Sequence, residues 1–280
     1  MADANAKPKK GGLRPDFATL GGILLALLGI VGGLILEGGE LSDITQVTAG
    51  LIVLGGTFGA TLVNTPLSTF FGGIKGLAHV FFERTVTPHA TIEEIIRYAT
   101  RARKAGIVSL EDEVRAASDP FLVKALTLAV DGTDLQELRK MMELEIQQQE
   151  HHGESAAKVF EVAGGYSPTI GIIGAVMGLI QVMKNLSDID KVGHGIAVSF
   201  VATVYGVALA NIFLLPAANK MKARVLQDSH MRELMLEGVT GIVEGLNPKL
   251  IRSKLEAYAP PKPEKPKKGA LPVPETEAGD

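Results

Sequence analysis

Four long runs of apolar residues dominate the pattern of this 280-residue chain. They cover residues 17–36, 44–63, 166–183 and 194–217, and none of them contains Asp, Glu, Lys or Arg. Each run is close to the roughly 20 residues that a helix needs to cross the hydrocarbon core of a bilayer. The pattern therefore predicts an all-α integral membrane protein with four transmembrane helices.

The polar segments between these runs show helical periodicity and no alternating strand pattern. They predict a helical cytoplasmic domain between spans two and three, and a helical extension after span four. The predicted segments are a basic cytoplasmic N-terminus (1–16), a first transmembrane hairpin (17–63), the helical domain (64–165), a second hairpin (166–217), the extension (218–258) and a disordered Pro/Lys/Glu-rich tail (259–280).

Local signals predict where several helices begin and end. The capping-box pattern Thr91–Glu94 predicts the start of a helix that Gly106 ends, and Asp119-Pro120 predicts another start. A long helix is predicted from about Thr133 to Val162. The stretch Leu67–Phe82 is apolar but carries a lysine and a histidine on one face, which predicts an amphipathic helix at the membrane surface.

Small residues recur at helical spacing in the first run, among them Ala18, Gly22 and Ala26. This spacing is typical of helices whose backbones approach a neighbour closely. In a glycine-rich chain such as this one, with 32 glycines, chance spacing is the alternative.

The distribution of positive charge predicts the orientation in the membrane. Of the 28 Lys and Arg residues, only Lys184 and Lys191 fall in the two short loops that would lie outside, which leaves 28 − 2 = 26 elsewhere. Under the positive-inside rule both termini are therefore expected in the cytoplasm.

The composition excludes several kinds of chemistry. Mean hydropathy is +0.22, and the absence of Cys removes disulfides, thiolate metal sites and thiol nucleophiles. There is no Walker-type glycine loop, no HExxH motif and no Ser/His/Asp constellation. His151 and His152 are adjacent, so on a helix they point about 100° apart and make a poor metal pair. We predict no enzyme activity, cofactor, metal site or nucleic-acid partner.

The membrane runs carry hydroxyl and amide groups but none of the four strongly charged residue types. A protein that moves ions usually needs an ionisable side chain at depth. If ions cross here, the titrating group must come from another chain. The alternative is that the hydroxyls only make hydrogen bonds between helices.

Two prolines, Pro168 and Pro216, flank the second hairpin and allow two interpretations. Each could simply start or end a helix. Alternatively, each could act as a hinge in a continuous helix, since proline removes a backbone donor and disturbs the preceding turn.

Three separated motifs resemble the A subunit of the flagellar motor stator, the MotA/PomA family. They are PTIGIIGAVMG at Pro168–Gly178, ATVYGVALAN at Ala202–Asn211 with Pro216 after it, and RKAGIVSLE at Arg103–Glu111. The resemblance runs from about residue 17 to residue 260.

The resemblance implies a homopentamer around a dimer of a single-span B subunit, in the bacterial inner membrane. That partner would carry a membrane aspartate and a peptidoglycan-binding domain. Ion passage past the aspartate would turn the pentamer, whose charges at Arg103, Lys104, Glu111 and Glu145 would act on the rotor switch protein.

Further roles follow from the same resemblance. Thr203 matches a threonine that faces the partner aspartate. Ala175 occupies a position that holds alanine in proton-driven and threonine in sodium-driven members, so the transported ion is predicted to be H⁺, with Na⁺ as the alternative. Pro168 and Pro216 would couple the ion path to the cytoplasmic domain.

Three other kinds of protein compete with this interpretation. One is an energising subunit of the TolQ/ExbB type, which has three spans and an external N-terminus. A phage-defence or gliding motor would share the membrane core, and a purely structural membrane scaffold would conduct no ions.

Overall fold

A computed structural model describes residues 13–84 and 87–259, which are built almost entirely from helices. The helices are α1 (Phe17–Leu36), α2 (Val47–Asn64), α3 (Leu67–Gly76), α4 (Ala78–Phe81), α5 (Pro88–Ala105), α6 (Glu111–Val114), α7 (Pro120–Val130), α8 (Leu135–Lys184), α9 (Ile189–Ala208), α10 (Leu215–Val243) and α11 (Pro248–Glu256). Short 3₁₀ turns occur at Leu41–Ile44 and Ile107–Leu110, a π-helical segment at Leu209–Leu214, and two strands at Leu13–Pro15 (β1) and Phe82–Arg84 (β2).

All four predicted apolar runs lie in helices that are long and apolar enough to cross a membrane. These helical stretches are Phe17–Leu36, Leu41–Asn64, Leu135–Lys184 and Ile189–Val243. The all-α prediction is confirmed. The predicted tail, apart from Ala259, and most of the basic N-terminus lie outside the described residues.

Helix α8 is much longer than predicted. Asp134 caps its start with hydrogen bonds from the backbone N–H groups of Gln136 and Glu137, and the helix then runs for 50 residues. Pro168 lies inside it, so the interpretation in which Pro168 starts a helix is wrong. One missing backbone bond does not end this helix, because the residues around the proline are packed against α9.

The fourth apolar run also continues into the soluble part of the chain. Helix α9, the π-helical segment and α10 form one helical stretch of 55 residues. Pro216 is the second residue of α10, and because the helix continues to Val243, the interpretation in which Pro216 ends a helix is wrong. A proline clashes with the carbonyl four residues before it, and the wider π turn at Leu209–Leu214 relieves that crowding.

The two soluble segments that the sequence separates share one hydrophobic core. Helices α5, α7, α10 and α11 and the first turns of α8 share one core, which contains the fully buried side chains Ile95, Leu122, Leu138, Leu234 and Leu255. Because these contacts join both segments, the described helices of the segment between spans two and three share one core with the extension after span four.

Most of the predicted helix ends are found, with one correction. Gly106 ends α5 at φ 84°, and Asp119 caps α7, as expected. Helix α5 starts at Pro88, and its cap, Thr87, lies four residues before the predicted cap at Thr91. A threonine cap followed by proline at the first position takes precedence over the capping-box pattern, which lies within the helix.

A short antiparallel strand pair is the main departure from a purely helical chain. Strands β1 and β2 have three residues each, with Arg14 opposite Glu83. Three residues are too few for an alternating pattern to be visible in the sequence. The predicted amphipathic helix over 67–82 is accordingly divided into α3, α4 and β2.

Helix α1 is nearly isolated within the described chain. It contains no buried residue, and its glycines have no other atoms within 4 Å of an added Cβ. Its contacts are mainly with α4 and the π-helical segment. The close helix approach predicted from its small residues is therefore not made with any described part of this chain, and α1 does not pack side by side with α2.

Candidate functional site

A seam of small residues joins α8 and α9 in the membrane part. A Cβ added at Gly206 would lie 2.6 Å from the carbonyl oxygen of Ser167, and one added at Gly171 would lie 2.9 Å from that of Ala202. At Gly178 the carbonyl of Gly195 would be 2.7 Å away. The obstacles are backbone atoms that cannot rotate aside, so only glycine allows the two helices this separation.

Two serine hydroxyls connect the helices along this seam. The buried hydroxyl of Ser167 donates to the carbonyl of Gly206 over 2.8 Å. The hydroxyl of Ser199 lies 2.8 Å from the carbonyl oxygen of Ala175 and 2.9 Å from that of Gly195, so its proton is shared between them. For these two serines, hydrogen bonding between helices is the observed role.

Ala175 and Thr203 lie on either side of Ser199. The Thr203 hydroxyl donates to the Ser199 carbonyl over 3.1 Å, while the Ser199 hydroxyl reaches Ala175. Both residues are half-buried. Their neighbours Gly174 and Ala202 are buried beneath α2, where an added Cβ on Gly174 would be 3.3 Å from Ile52. The side that carries Ala175 and Thr203 is thus the open side of the helix pair.

Tyr205 fixes the start of α2 against α9. Its hydroxyl donates to the carbonyl of Ile44 over 2.6 Å and accepts from the backbone N–H of Gln46 over 3.2 Å. The Gln46 side chain makes no capping bond, so the phenol supplies the polar partner at this helix start. Sequence reasoning gave Tyr205 no role, because the residue that it caps is 159 positions away.

The two prolines lie near each other at the end of the seam. Gly164 precedes Pro168 by four residues, and its added Cβ would be 2.6 Å from the side chain of Leu215. Leu215 directly precedes Pro216. The prolines are therefore about one helical turn apart along the bundle, with Pro168 half-buried and Pro216 exposed.

The predicted rotor-facing charges fall into two different environments. Arg103 and Lys104 end α5, Glu111 begins α6, and all three are exposed and make no ion pair within residues 13–84 and 87–259. Glu145 on α8 instead contacts the ammonium group of Lys124 on α7. The first three form a free charged end of the domain, and Glu145 is already partnered.

The histidine pair makes no metal site in the described structure. His151 and His152 are both exposed on α8. Among the residues that are described, no group of three or more His, Asp or Glu side chains is placed to hold a metal ion.

Comparison with known proteins identifies the family to which this chain belongs. One family model, the MotA/TolQ/ExbB proton channel family, matches residues 113–234, and a second, the motility protein A N-terminal model, matches residues 20–105. Motility protein A of Bacillus subtilis (strain 168) is 35% identical over 251 residues, which cover 88% of this chain and 92% of that protein. The chain belongs to the motility protein A family.

Solved structures agree with this assignment. The C. jejuni MotAB structure has a TM-score of 0.84 at 30% identity and covers 89% of this chain and 98% of its own. The flagellar MotAB stator complex from Bacillus subtilis has a TM-score of 0.82 at 34% identity, with 88% and 96% covered. The chain is a flagellar motor stator subunit, as the three motifs predicted. The match of residues 20–105 to the motility-specific model disfavours the TolQ/ExbB alternative.

Proposed function

We propose that this stator subunit forms one wall of a proton path whose titrating group belongs to a single-span B-type subunit. The observation that carries the proposal is the open side of the α8–α9 pair. There, Ala175 and Thr203 flank Ser199, and neither apolar run contains Asp, Glu, Lys or Arg. An ion path through this face needs a carboxylate from outside the chain.

The relatives support an assembly with a B-type partner. The solved Bacillus subtilis relative is a MotAB stator complex, which supports a B-type partner here. A ring of five copies around two B subunits, attached to peptidoglycan, agrees with the family resemblance. The distribution of Lys and Arg supports four spans in the bacterial inner membrane with both termini in the cytoplasm.

Proton drive is favoured over sodium drive by the few oxygens at this face. Thr203 supplies one hydroxyl on the open side, and Ala175 supplies none from its side chain. The nearby Ser199 hydroxyl is directed to carbonyls in the seam. A hard cation needs several oxygen ligands, and this arrangement offers fewer than a threonine at position 175 would.

Torque would reach the rotor through the continuous helices. Proton passage turns the ring about the B subunits, and α8 and α9–α10 carry the motion into the cytoplasmic domain past Pro168 and Pro216. The exposed charges at Arg103, Lys104 and Glu111 then act on the rotor switch protein, with Glu145 in a supporting, ion-paired position.

Swimming in a strain that lacks its own A and B subunits tests the proposal, with this chain supplied together with its B-type partner. Swimming should persist without sodium and stop with a proton uncoupler. Thr203→Val should abolish it while leaving membrane levels unchanged, because the hydroxyl lies on the proposed path and not in the core.

Thr169→Val is the matched control. Thr169 is exposed on α8, and its hydroxyl bonds only to the local carbonyl of Tyr166 over 2.7 Å. A strain that carries Thr169→Val should swim normally. Swimming that required sodium and resisted the uncoupler would refute proton drive, and full motility of Thr203→Val would refute the assigned path.

A further inference from the structure

Helix α1 is attached to the rest of the subunit by its base. Along its length no side chain is buried. At its cytoplasmic end, by contrast, Asp16 is only 6% exposed, and its backbone N–H donates to the carbonyl of Phe81 over 2.8 Å. Strand β1 pairs with β2 directly beside it. The position of α1 is therefore set by the residues around Asp16.

Asp16 is the centre of a cluster of charged side chains. One carboxylate oxygen accepts from the backbone N–H of Thr19 over 3.1 Å and so caps α1. The other lies 2.6 Å from Nζ of Lys220 and 2.8 Å from a guanidinium nitrogen of Arg224. Arg224 also reaches Glu83 on β2 over 3.0 Å. We call these four side chains, Asp16, Glu83, Lys220 and Arg224, the Asp16 cluster.

The Asp16 cluster attaches to α10 just beyond Pro216. Lys220 and Arg224 follow Pro216 by four and eight residues, so they lie on the same face one and two turns beyond it. Before the proline, α9 packs on α8 through the glycine seam. The base of α1 is thus connected to the part of the fourth helix that lies beyond the π-helical segment and Pro216.

From these contacts we infer that Asp16 is a positioning residue for torque transmission. It makes α1 move as one body with the part of α10 that follows Pro216. The inference rests on the proposed function, because it assigns the cluster a part in passing force from the membrane to the cytoplasmic domain. α10 shares a core with α5, whose end carries Arg103 and Lys104. The cluster therefore braces the rotor-facing domain against a helix embedded in the bilayer.

The chemistry of the cluster suits a rigid connection. The two central side chains, Asp16 and Arg224, are only 6% and 17% exposed, although Glu83 at the edge is exposed. The pKa of Asp16 is lowered to about 2, chiefly by the hydrogen bond from Lys220. The carboxylate is therefore ionised at any physiological pH. Loss of Asp16 would leave Arg224 with Glu83 as its ion-pair partner and Lys220 with no ion pair among the described residues.

The test uses two variants, because Asp16→Asn alone leaves unbalanced buried charge and could reduce folding. Asp16→Asn combined with Lys220→Met removes one negative and one positive charge and leaves the Arg224–Glu83 pair in place. Lys222→Met is the matched control, since the Lys222–Glu161 pair joins α10 to α8, which already share a hydrophobic core.

Torque is measured on beads attached to flagella at high and at low load, and proton leak is measured with the B-type partner present. We expect the double variant to keep wild-type membrane levels and proton leak. Its torque at high load should fall at least two-fold, with near-normal speed at low load, because a looser connection yields under force. Normal high-load torque in the double variant, or an equal loss in Lys222→Met, would overturn the inference.

A distance measurement decides the attachment without any reference to motility. The chain has no cysteine, so spin labels can be placed uniquely at Ala18 on α1 and Ala223 on α10, in complexes diluted with unlabelled subunits. The double variant should broaden this distance distribution and leave a control pair on α8 and α9, Ile173 and Val204, unchanged. An unchanged Ala18–Ala223 distribution would show that the cluster does not hold α1. Failure of the wild-type chain to restore swimming would instead count against the proposed function.

Discussion

The closest approach to a backbone atom in the α8–α9 seam makes Gly206→Ala a sharp test of the packing. A Cβ at this position would lie 2.6 Å from the Ser167 carbonyl oxygen and 2.9 Å from Cα of Gly171. A normal contact is about 3.4 Å or more, so the two backbones would have to separate by about 0.8 Å. Neither obstacle is a side chain that could adopt another rotamer.

The expected loss of stability can be worked out from three contributions. Forcing extra volume into a packed interface costs about 1–3 kcal/mol. The Ser167–Gly206 hydrogen bond, 2.8 Å long, would stretch beyond a useful distance and add about 1 kcal/mol. Alanine is favoured over glycine in a helix by about 1 kcal/mol, which offsets part of this. The net destabilisation should be about 1–3 kcal/mol.

The assay is thermal unfolding of the purified complex, with swimming as a second measure. Gly165→Ala provides the control, because Gly165 lies in the facing helix α8 and an added Cβ there has no other atoms within 4 Å. That variant should be as stable as wild type or slightly more so. If Gly206→Ala were as stable as Gly165→Ala, the backbone contact described for the seam would be wrong.

Two further predictions concern the helical domain outside the four apolar runs. Tyr98 is buried, and desolvation together with the charge of Glu94 raises its pKa to about 12. Its neutral form is favoured by folding, so the free energy of unfolding should be independent of this group below pH 10 and fall by about 3 kcal/mol between pH 10 and 12. Absorbance titration of the phenols should show a late-titrating group that Tyr98→Phe removes, and an unchanged curve in that variant would contradict the burial. Arg103→Glu should impair swimming without changing the melting temperature, because Arg103 is exposed and makes no ion pair within the described residues. A lower melting temperature would instead indicate a structural role.

The features that could be predicted from the sequence are those that depend on neighbouring residues. The apolar runs identified the helices that can cross a membrane, since hydrophobic length is a local property. Asp119 and Gly106 marked helix ends because a cap and a positive φ act within one turn. The rotor-facing residues and the ion-path residues came from family motifs, and their roles remain predictions.

Features that depend on distant residues could not be read from the sequence. Small residues at helical spacing occur in both α1 and α8, yet only those of α8 meet a facing backbone. A proline in the sequence looks the same whether it starts a helix or lies within one. The contact between Gly164 and Leu215, which joins the two helices near both prolines, involves residues 51 positions apart. Asp16 and Arg224 are separated by 208 positions, and no local pattern pairs them.

The two prolines, paired by the sequence interpretation, differ in their structural support. Pro168 lies next to Ser167, whose hydroxyl bonds to α9, and Gly171 one turn further on also packs closely against α9. Pro216 is exposed and follows a π-helical segment, where the backbone hydrogen-bond pattern is already altered. Bending of the bundle should therefore concentrate at Pro216, with Pro168 acting as a fixed point. This asymmetry explains why a connection just beyond Pro216, at Lys220 and Arg224, would matter more for force transmission than one of equal strength elsewhere on α10.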